Sequence, residues 1–192
     1  MASQFSACVA TFGGVDILVS NAGAAIQAAD GLAGDGGRAA LEASMGVNFY
    51  GHVNVAEAAT QIMLAQETGG CLLFNASKAA LNPGRGFGPY AVAKAGVVAL
   101  AKQYAADYGP AGIRASCVNA DRVRTNLFTA ELIAERAAKR GLQPDQYFKS
   151  NLLGVEVTAA DVADAFVALA LASKTTGAIL TVDGGNIAAA VR

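Results

Sequence analysis

Four short runs of consecutive apolar residues punctuate the chain: Val15–Ser20, Cys71–Ala76, Ile113–Asn119 and Ala178–Val182. Each is bounded by Gly or Asn. Apolar residues on successive rather than alternate positions mark strands buried on both faces, as parallel sheets require. The segments between them carry a helical period. Leu41–Gln66 sets Met45, Asn48, Phe49, His52, Val55 and Ala59 at three- and four-residue steps; Tyr90–Tyr108 does so with Val97, Leu100, Ala101 and Tyr104; Ala159–Ser173 puts Val162, Phe166 and Leu169 on one stripe. Thr158 followed by Asp161 is an acidic capping box at the start of the last helix, and Gly109-Pro110 ends the second. Strands alternating with long helical crossovers predict a parallel sheet of about four strands with flanking helices, in one domain over residues 1–192. Thr125–Gly154 breaks the alternation. Rich in Arg, Lys and Glu and containing Pro144, it predicts one or two short helices, forming either a lid over a cleft or a solvated excursion.

Composition narrows this picture. Hydrophobic residues reach 54% against 15% charged, which excludes disorder, and 22 glycines with abundant alanine suit close helix-on-sheet packing. A net charge of −1 supplies no long-range field for nucleic acid or an anionic membrane. Apolar stretches such as Val97–Ala101 and Ala165–Ala172 fall far short of the ~20 residues of a membrane span. The start, Met-Ala-Ser-Gln-Phe, has no positive n-region. These features predict a cytoplasmic protein with no nucleic-acid or membrane partner. Cys8, Cys71 and Cys117 are widely spaced, as core thiols in a reducing compartment are. His52 has no His or Cys neighbour and reads as an ordinary helix residue, so no metal is expected.

The chemistry concentrates at Tyr90-Ala-Val-Ala-Lys94. Four residues is one helical step, so phenol and ammonium share a face. The pair opens a helix that follows a buried strand and the Gly/Pro-rich loop Asn82–Pro89, and Ser77 lies just past that strand's C-terminal end, where open parallel sheets bind ligands. Tyrosine ordinarily titrates near ~10. A neighbouring ammonium favours phenolate and would poise the phenol for proton transfer, while a hydroxyl such as Ser77 holds the substrate oxygen.

This pattern resembles the short-chain dehydrogenase/reductase family. The resemblance implies that Tyr90 is the general acid/base, that Lys94 lowers its pKa and holds a nicotinamide ribose, and that Ser77 orients the substrate. Asn48, in Val47-Asn48-Phe49-Tyr50-Gly51, matches the family's fourth catalytic residue, which supports a proton-relay water; a buried structural amide is the alternative. Asn21, Ala22 and Gly23 match the segment near the adenosine ribose, with Ser20 in place of its first Asn; Asn21 otherwise satisfies turn backbone. Val123 and Thr125 fall where the family contacts the nicotinamide, but Ala120-Asp121 replaces the usual Pro-Gly pair. The implied cofactor is NAD or NADP, and the implied reaction is hydride transfer to or from a small alcohol or hydroxyaldehyde.

A narrower likeness is to the dehydrogenase domain of bifunctional class II aldolase/short-chain dehydrogenases. It rests on Gly14–Gly23, Ala76-Ser77-Lys78 with Pro83-Gly84 and Phe87-Gly88, the Arg-rich stretch after Asp121, Ser173–Gly177 and the Ala-rich tail ending in Arg192. It points to a substrate such as lactaldehyde.

The family's Gly-x-x-x-Gly-x-Gly turn is not found. Gly31-Leu-Ala-Gly34-Asp-Gly36-Gly37 follows the wrong strand at the wrong spacing and reads as a loop. The expectation is therefore a truncated Rossmann-like sheet whose N-terminal βαβ dinucleotide-binding half is missing, an incomplete domain with negligible activity alone. Expected partners are a small-molecule substrate, further copies of the chain in a homo-oligomer, and the missing N-terminal segment or an aldolase domain. The competing reading is a non-catalytic oligomerisation or interaction module.

Overall fold

The computed structural model describes residues 2–125 and 128–186. Strands β1 (Ile17–Ser20), β2 (Gly70–Asn75), β3 (Ile113–Ala120) and β4 (Ile179–Val182) form one sheet in the order β1-β2-β3-β4, every pair parallel. One row of the register runs Ser20, Phe74, Cys117, Ile179, so all four strands end at the same rim.

Successive residues of β2 serve opposite faces, which explains the unbroken apolar runs. Leu72 and Phe74 pack with Ala56, Ala59 and Met63 of α3 (Gly51–Gln66) and with Val97, Val98 and Ala101 of α4 (Gly88–Tyr108). Helix α1 (Ala2–Phe12) adds Phe5 to that layer. Cys71 and Leu73 face the other way, against Ala165, Phe166 and Leu169 of the later helix Ala159–Leu171. The small residues do what their number predicts. A Cβ on Gly96 of α4 would lie 2.9 Å from the Phe49 ring, so the helix seats on its neighbour only because a side chain is absent there.

Caps fall where expected. Thr158 and Asp161 form a reciprocal capping box, and Gly109 ends α4. The expected Leu41–Gln66 helix is interrupted: α2 (Gly37–Met45) passes through a π-helical turn, Gly46–Tyr50, into α3. The widened turn brings Asn48, fully buried, against the loop after β1. Such turns often mark functional sites.

Thr125–Gly154 contains α5 (Ala130–Ala138) and a 3-10 segment, Pro144–Lys149, with Ala159–Leu171 following as α6. It carries its own small core, in which Ala137, Tyr147 and Phe148 are buried with Phe128, Ile133 and Leu142 packed on them. Neither a bare solvated excursion nor a loose flap, it is a packed lobe.

One expectation is corrected. The chain forms an α/β Rossmann-like unit with a four-stranded parallel sheet covered on both faces. A missing N-terminal half is not something this fold shows: the absence of a glycine motif describes a loop's chemistry, not the extent of a sheet. Among the described residues no helix is long and apolar enough to cross a membrane. The Ala-rich tail lies outside the described residues.

Candidate active site

At the C-terminal rim β2 ends at Asn75, and Ser77 follows in extended conformation, its hydroxyl accepting from the Ala79 amide to cap a short 3-10 turn. The Ser77 hydroxyl also stands close enough to the Tyr90 phenol to favour its ionised form. Tyr90 sits in the first turn of α4, oriented by Pro89 at the helix start and by Phe87, whose ring meets it edge-on at 6.5 Å. One turn on, Lys94 is buried, with Nζ 5.9 Å from the centre of the Tyr90 ring. The hydroxyl, phenol and ammonium expected from spacing therefore share one site.

Lys94 Nζ donates to the Asn75 carbonyl at 2.7 Å and contacts His52 Nε2 at 3.3 Å. Burial lowers its pKa to about 8, so it remains largely ammonium at neutral pH. Tyr90 behaves differently from the expected lowered phenol. Burial raises its pKa and the Ser77 hydroxyl opposes this only in part, leaving a protonated phenol at rest. Desolvation wins because the charged phenolate loses far more hydration than the neutral phenol on leaving water.

The Asn48 side chain is fully engaged with the protein. Oδ1 accepts from the Ala24 amide at 2.9 Å, and Nδ2 donates to the Ala24 carbonyl at 2.8 Å and to Ser44 Oγ at 3.0 Å. It clamps the loop carrying Asn21, Ala22 and Gly23, all exposed at the rim. Asn21 Oδ1 accepts from Asn75 Nδ2 at 2.6 Å, tying that loop to the end of β2. A Cβ on Gly23 would stand 2.9 Å from Asn48 Oδ1 and 3.4 Å from Lys94 Nζ, so only glycine lets the backbone pass this close to the lysine.

Val123, half-buried, and Thr125, exposed, lie on the loop after β3 at the same rim. The Ala120-Asp121 replacement has a local consequence. Asp121 pairs with Arg122 at 3.0 Å and accepts from Asn186. Arg122, in left-handed conformation at φ 47°, donates to the Tyr147 carbonyl at 3.1 Å, the Ser150 carbonyl at 2.9 Å and the Ser150 hydroxyl. The loop is thus bolted to the lobe formed by α5 and the 3-10 segment. From the same lobe Arg136 stacks at 5.3 Å over Phe87, next to the helix that carries Tyr90 and Lys94.

Sequence spacing missed two participants. His52 is 1% exposed and bridges Lys94 to Ser20, whose Oγ lies 2.6 Å from Nδ1. Its place four residues beyond Asn48 was the available signal, since that puts both on one helix face. Arg122 lay inside a charged run that gave no hint of which charge would be buried. Among the described residues no three metal-ligating side chains cluster, and the three cysteines are free.

The donor set fits the nicotinamide-ribose end of a dinucleotide. Lys94 has used two of its three donors on the protein, the Gly23 backbone leaves room beside it, and buried polar atoms without partners (Asn75 Oδ1, and Oδ1 and Nδ2 of Asn119) stand at the ends of the two central strands.

Known proteins bear on the same region. A (+)-borneol dehydrogenase of Salvia officinalis is 36% identical over 93% of this chain and 67% of its own length. An uncharacterized oxidoreductase of Bacillus subtilis, YuxG, is 35% identical over 99% of this chain, which spans only 28% of that longer protein. The solved structure of a short-chain type dehydrogenase/reductase from Mycobacterium ulcerans superposes with a TM-score of 0.83 at 28% identity, covering 97% of this chain and 66% of that one. That match along 97% of this chain is the finding that replaces the truncated-fold expectation with a plain Rossmann-like one. A family model described as Enoyl-(Acyl carrier protein) reductase matches residues 1–186, and with a relative alike along two thirds of its length it establishes that this chain belongs to the short-chain dehydrogenase/reductase family.

Proposed function

We propose that the chain serves NAD(P)-dependent hydride exchange with a small alcohol or hydroxyaldehyde, Tyr90 moving the proton, Ser77 holding the substrate oxygen and Lys94 holding the charge that Tyr90 develops. The observation that supports this most is a buried, unneutralised Lys94 ammonium 5.9 Å from the centre of the Tyr90 ring, with the Ser77 hydroxyl acting on the same phenol. Asn21, Ala22, Gly23, Tyr90, Lys94, Val123 and Thr125 are the residues that would hold the dinucleotide, which supplies or accepts the hydride.

The resting protonation favours carbonyl reduction. A substrate carbonyl accepts the Ser77 and Tyr90 hydroxyls. As its carbon is reduced, the oxygen gains charge and takes the phenol proton. The phenolate left behind is stabilised by the Lys94 ammonium and by the Ser77 hydroxyl. In the oxidative direction the same proton returns.

The test is a fluorescence titration of NADH and NADPH, followed by turnover with a panel of small aldehydes, ketones and alcohols that includes lactaldehyde. Binding of one dinucleotide and turnover of a small hydroxyaldehyde is the expected result. No binding of either, with no turnover of any panel member, would sink the proposal.

A further inference from the structure

Lys94 is buried without a carboxylate. Its two protein contacts are a backbone carbonyl and an imidazole, both formally neutral. We propose that His52 is a positioning residue, a neutral imidazole fixed in one tautomer that holds the Lys94 ammonium from behind and leaves its charge free to act on Tyr90. This rests on the reading of Tyr90 and Lys94 given above.

The geometry fixes the tautomer. An ammonium has donors only, so Nε2 of His52 must accept from Lys94. The single imidazole proton then lies on Nδ1, where Ser20 Oγ stands 2.6 Å away to accept it. The ring has little room to turn, with the Phe74 ring edge-on at 6.2 Å and exposure of 1%. Ser20 ends β1, His52 lies in α3 and Lys94 in α4, so the chain of contacts crosses three elements and terminates on the sheet.

The charges around His52 leave it neutral. It is packed by Ser20 of β1, Phe74 of β2 and Lys94 of α4; Lys94 is the charged group acting on it. Burial first, and the Lys94 charge second, lower its pKa to about 4. A carboxylate in its place would anchor the lysine equally well. It would also cancel the field that stabilises a phenolate at Tyr90. A neutral acceptor fixes position without that loss. With one Lys94 donor on Asn75 and one on His52, the third is left for the side where Gly23 and Tyr90 lie.

His52 is the only histidine in the chain, so its nitrogens can be read without assignment. The first experiment is a long-range 15N–1H spectrum of the unsubstituted protein at neutral pH. The proton is expected on Nδ1 with Nε2 bare; a proton on Nε2 overturns the proposal, because that nitrogen could not then accept from Lys94.

The second experiment follows the Lys94 side chain by 13C-lysine NMR across pH, its resonance identified by loss in Lys94→Arg. In His52→Leu the midpoint should fall by about one unit, whereas His52→Gln, which keeps an acceptor, should hold it within a few tenths. An unmoved midpoint in a folded His52→Leu protein overturns the proposal. If His52→Leu does not fold, the tautomer alone decides. Neither readout needs turnover, so either can fail while the proposed function stands. Once turnover is established, His52→Leu should lower kcat about tenfold with KM within twofold, and His52→Gln should recover most of it.

Discussion

Two regions of this molecule bury positive charge in opposite ways. Around Lys94 the partners are neutral: a carbonyl, an imidazole and the face of a tyrosine. Around Arg122 they include the Asp121 carboxylate, and both side chains of that pair are largely buried. Lys94 consequently titrates near 8 and its field reaches a neighbour. Arg122 sets its charge against a carboxylate and its donors against the carbonyls of Tyr147 and Ser150, bolting a loop to a lobe. An uncompensated buried charge costs stability and is kept where chemistry uses it; a compensated one is a fastener.

Each side of that contrast can be broken separately. Tyr90→Phe removes the proton donor and keeps the ring against Phe87, so turnover should fall about a thousandfold with the melting temperature nearly unchanged, measured by steady-state kinetics beside calorimetry. Arg122→Ala leaves Asp121 buried beside Asn186 without its cation. Unfolding free energy should drop by about 3 kcal/mol, more than a hundredfold in the equilibrium, and proteolysis between residues 128 and 154 should speed up; chemical denaturation and limited digestion report both.

The His52 ring tests the other side through pH. Its folded pKa is about 4 against an ordinary 6.5, so between those values the unfolded chain binds a proton that the folded chain refuses. Its contribution is therefore complete above 6.5 and is lost as pH falls, by about 2 kcal/mol at pH 5. His52→Leu should lack that component in denaturation curves taken at pH 7 and pH 5. Lys94 sharpens the same point from the alkaline side. Carbonyl reduction should decline above pH 8, approaching tenfold per unit, as the ammonium is lost. Least of all should come from Arg38→Ala. Its ion pair with Glu42 lies on an exposed face, at 85% and 63% side-chain exposure, and the melting temperature should move by no more than about 1 °C.

The four strands and the long helices were legible because their cause is local. A strand covered on both faces must be apolar at every position, and β2 and β3 are largely so. Boundaries moved by one or two residues, as where Val15 and Asp16 stay outside β1. The break at Gly46–Tyr50 was not legible: the period runs on through Met45, Asn48 and His52, and the widened turn answers to the loop that Asn48 clamps. Extent was misjudged for a different reason. An absent glycine turn was taken to mean an absent half of the fold, although motif and sheet are separate properties.

Neighbours along the chain determined by themselves the strands, from unbroken apolar runs, the shared face of Tyr90 and Lys94, from a four-residue step, and the helix start at Thr158, from its capping partner. Tertiary structure alone decided the properties that depend on desolvation and on partners far away in sequence. Burial, not the adjacent lysine, sets the direction of the Tyr90 titration. His52 reaches Lys94 across 42 positions and Ser20 across 32, contacts that no local pattern encodes because only the packing of α3 and α4 on the sheet creates them.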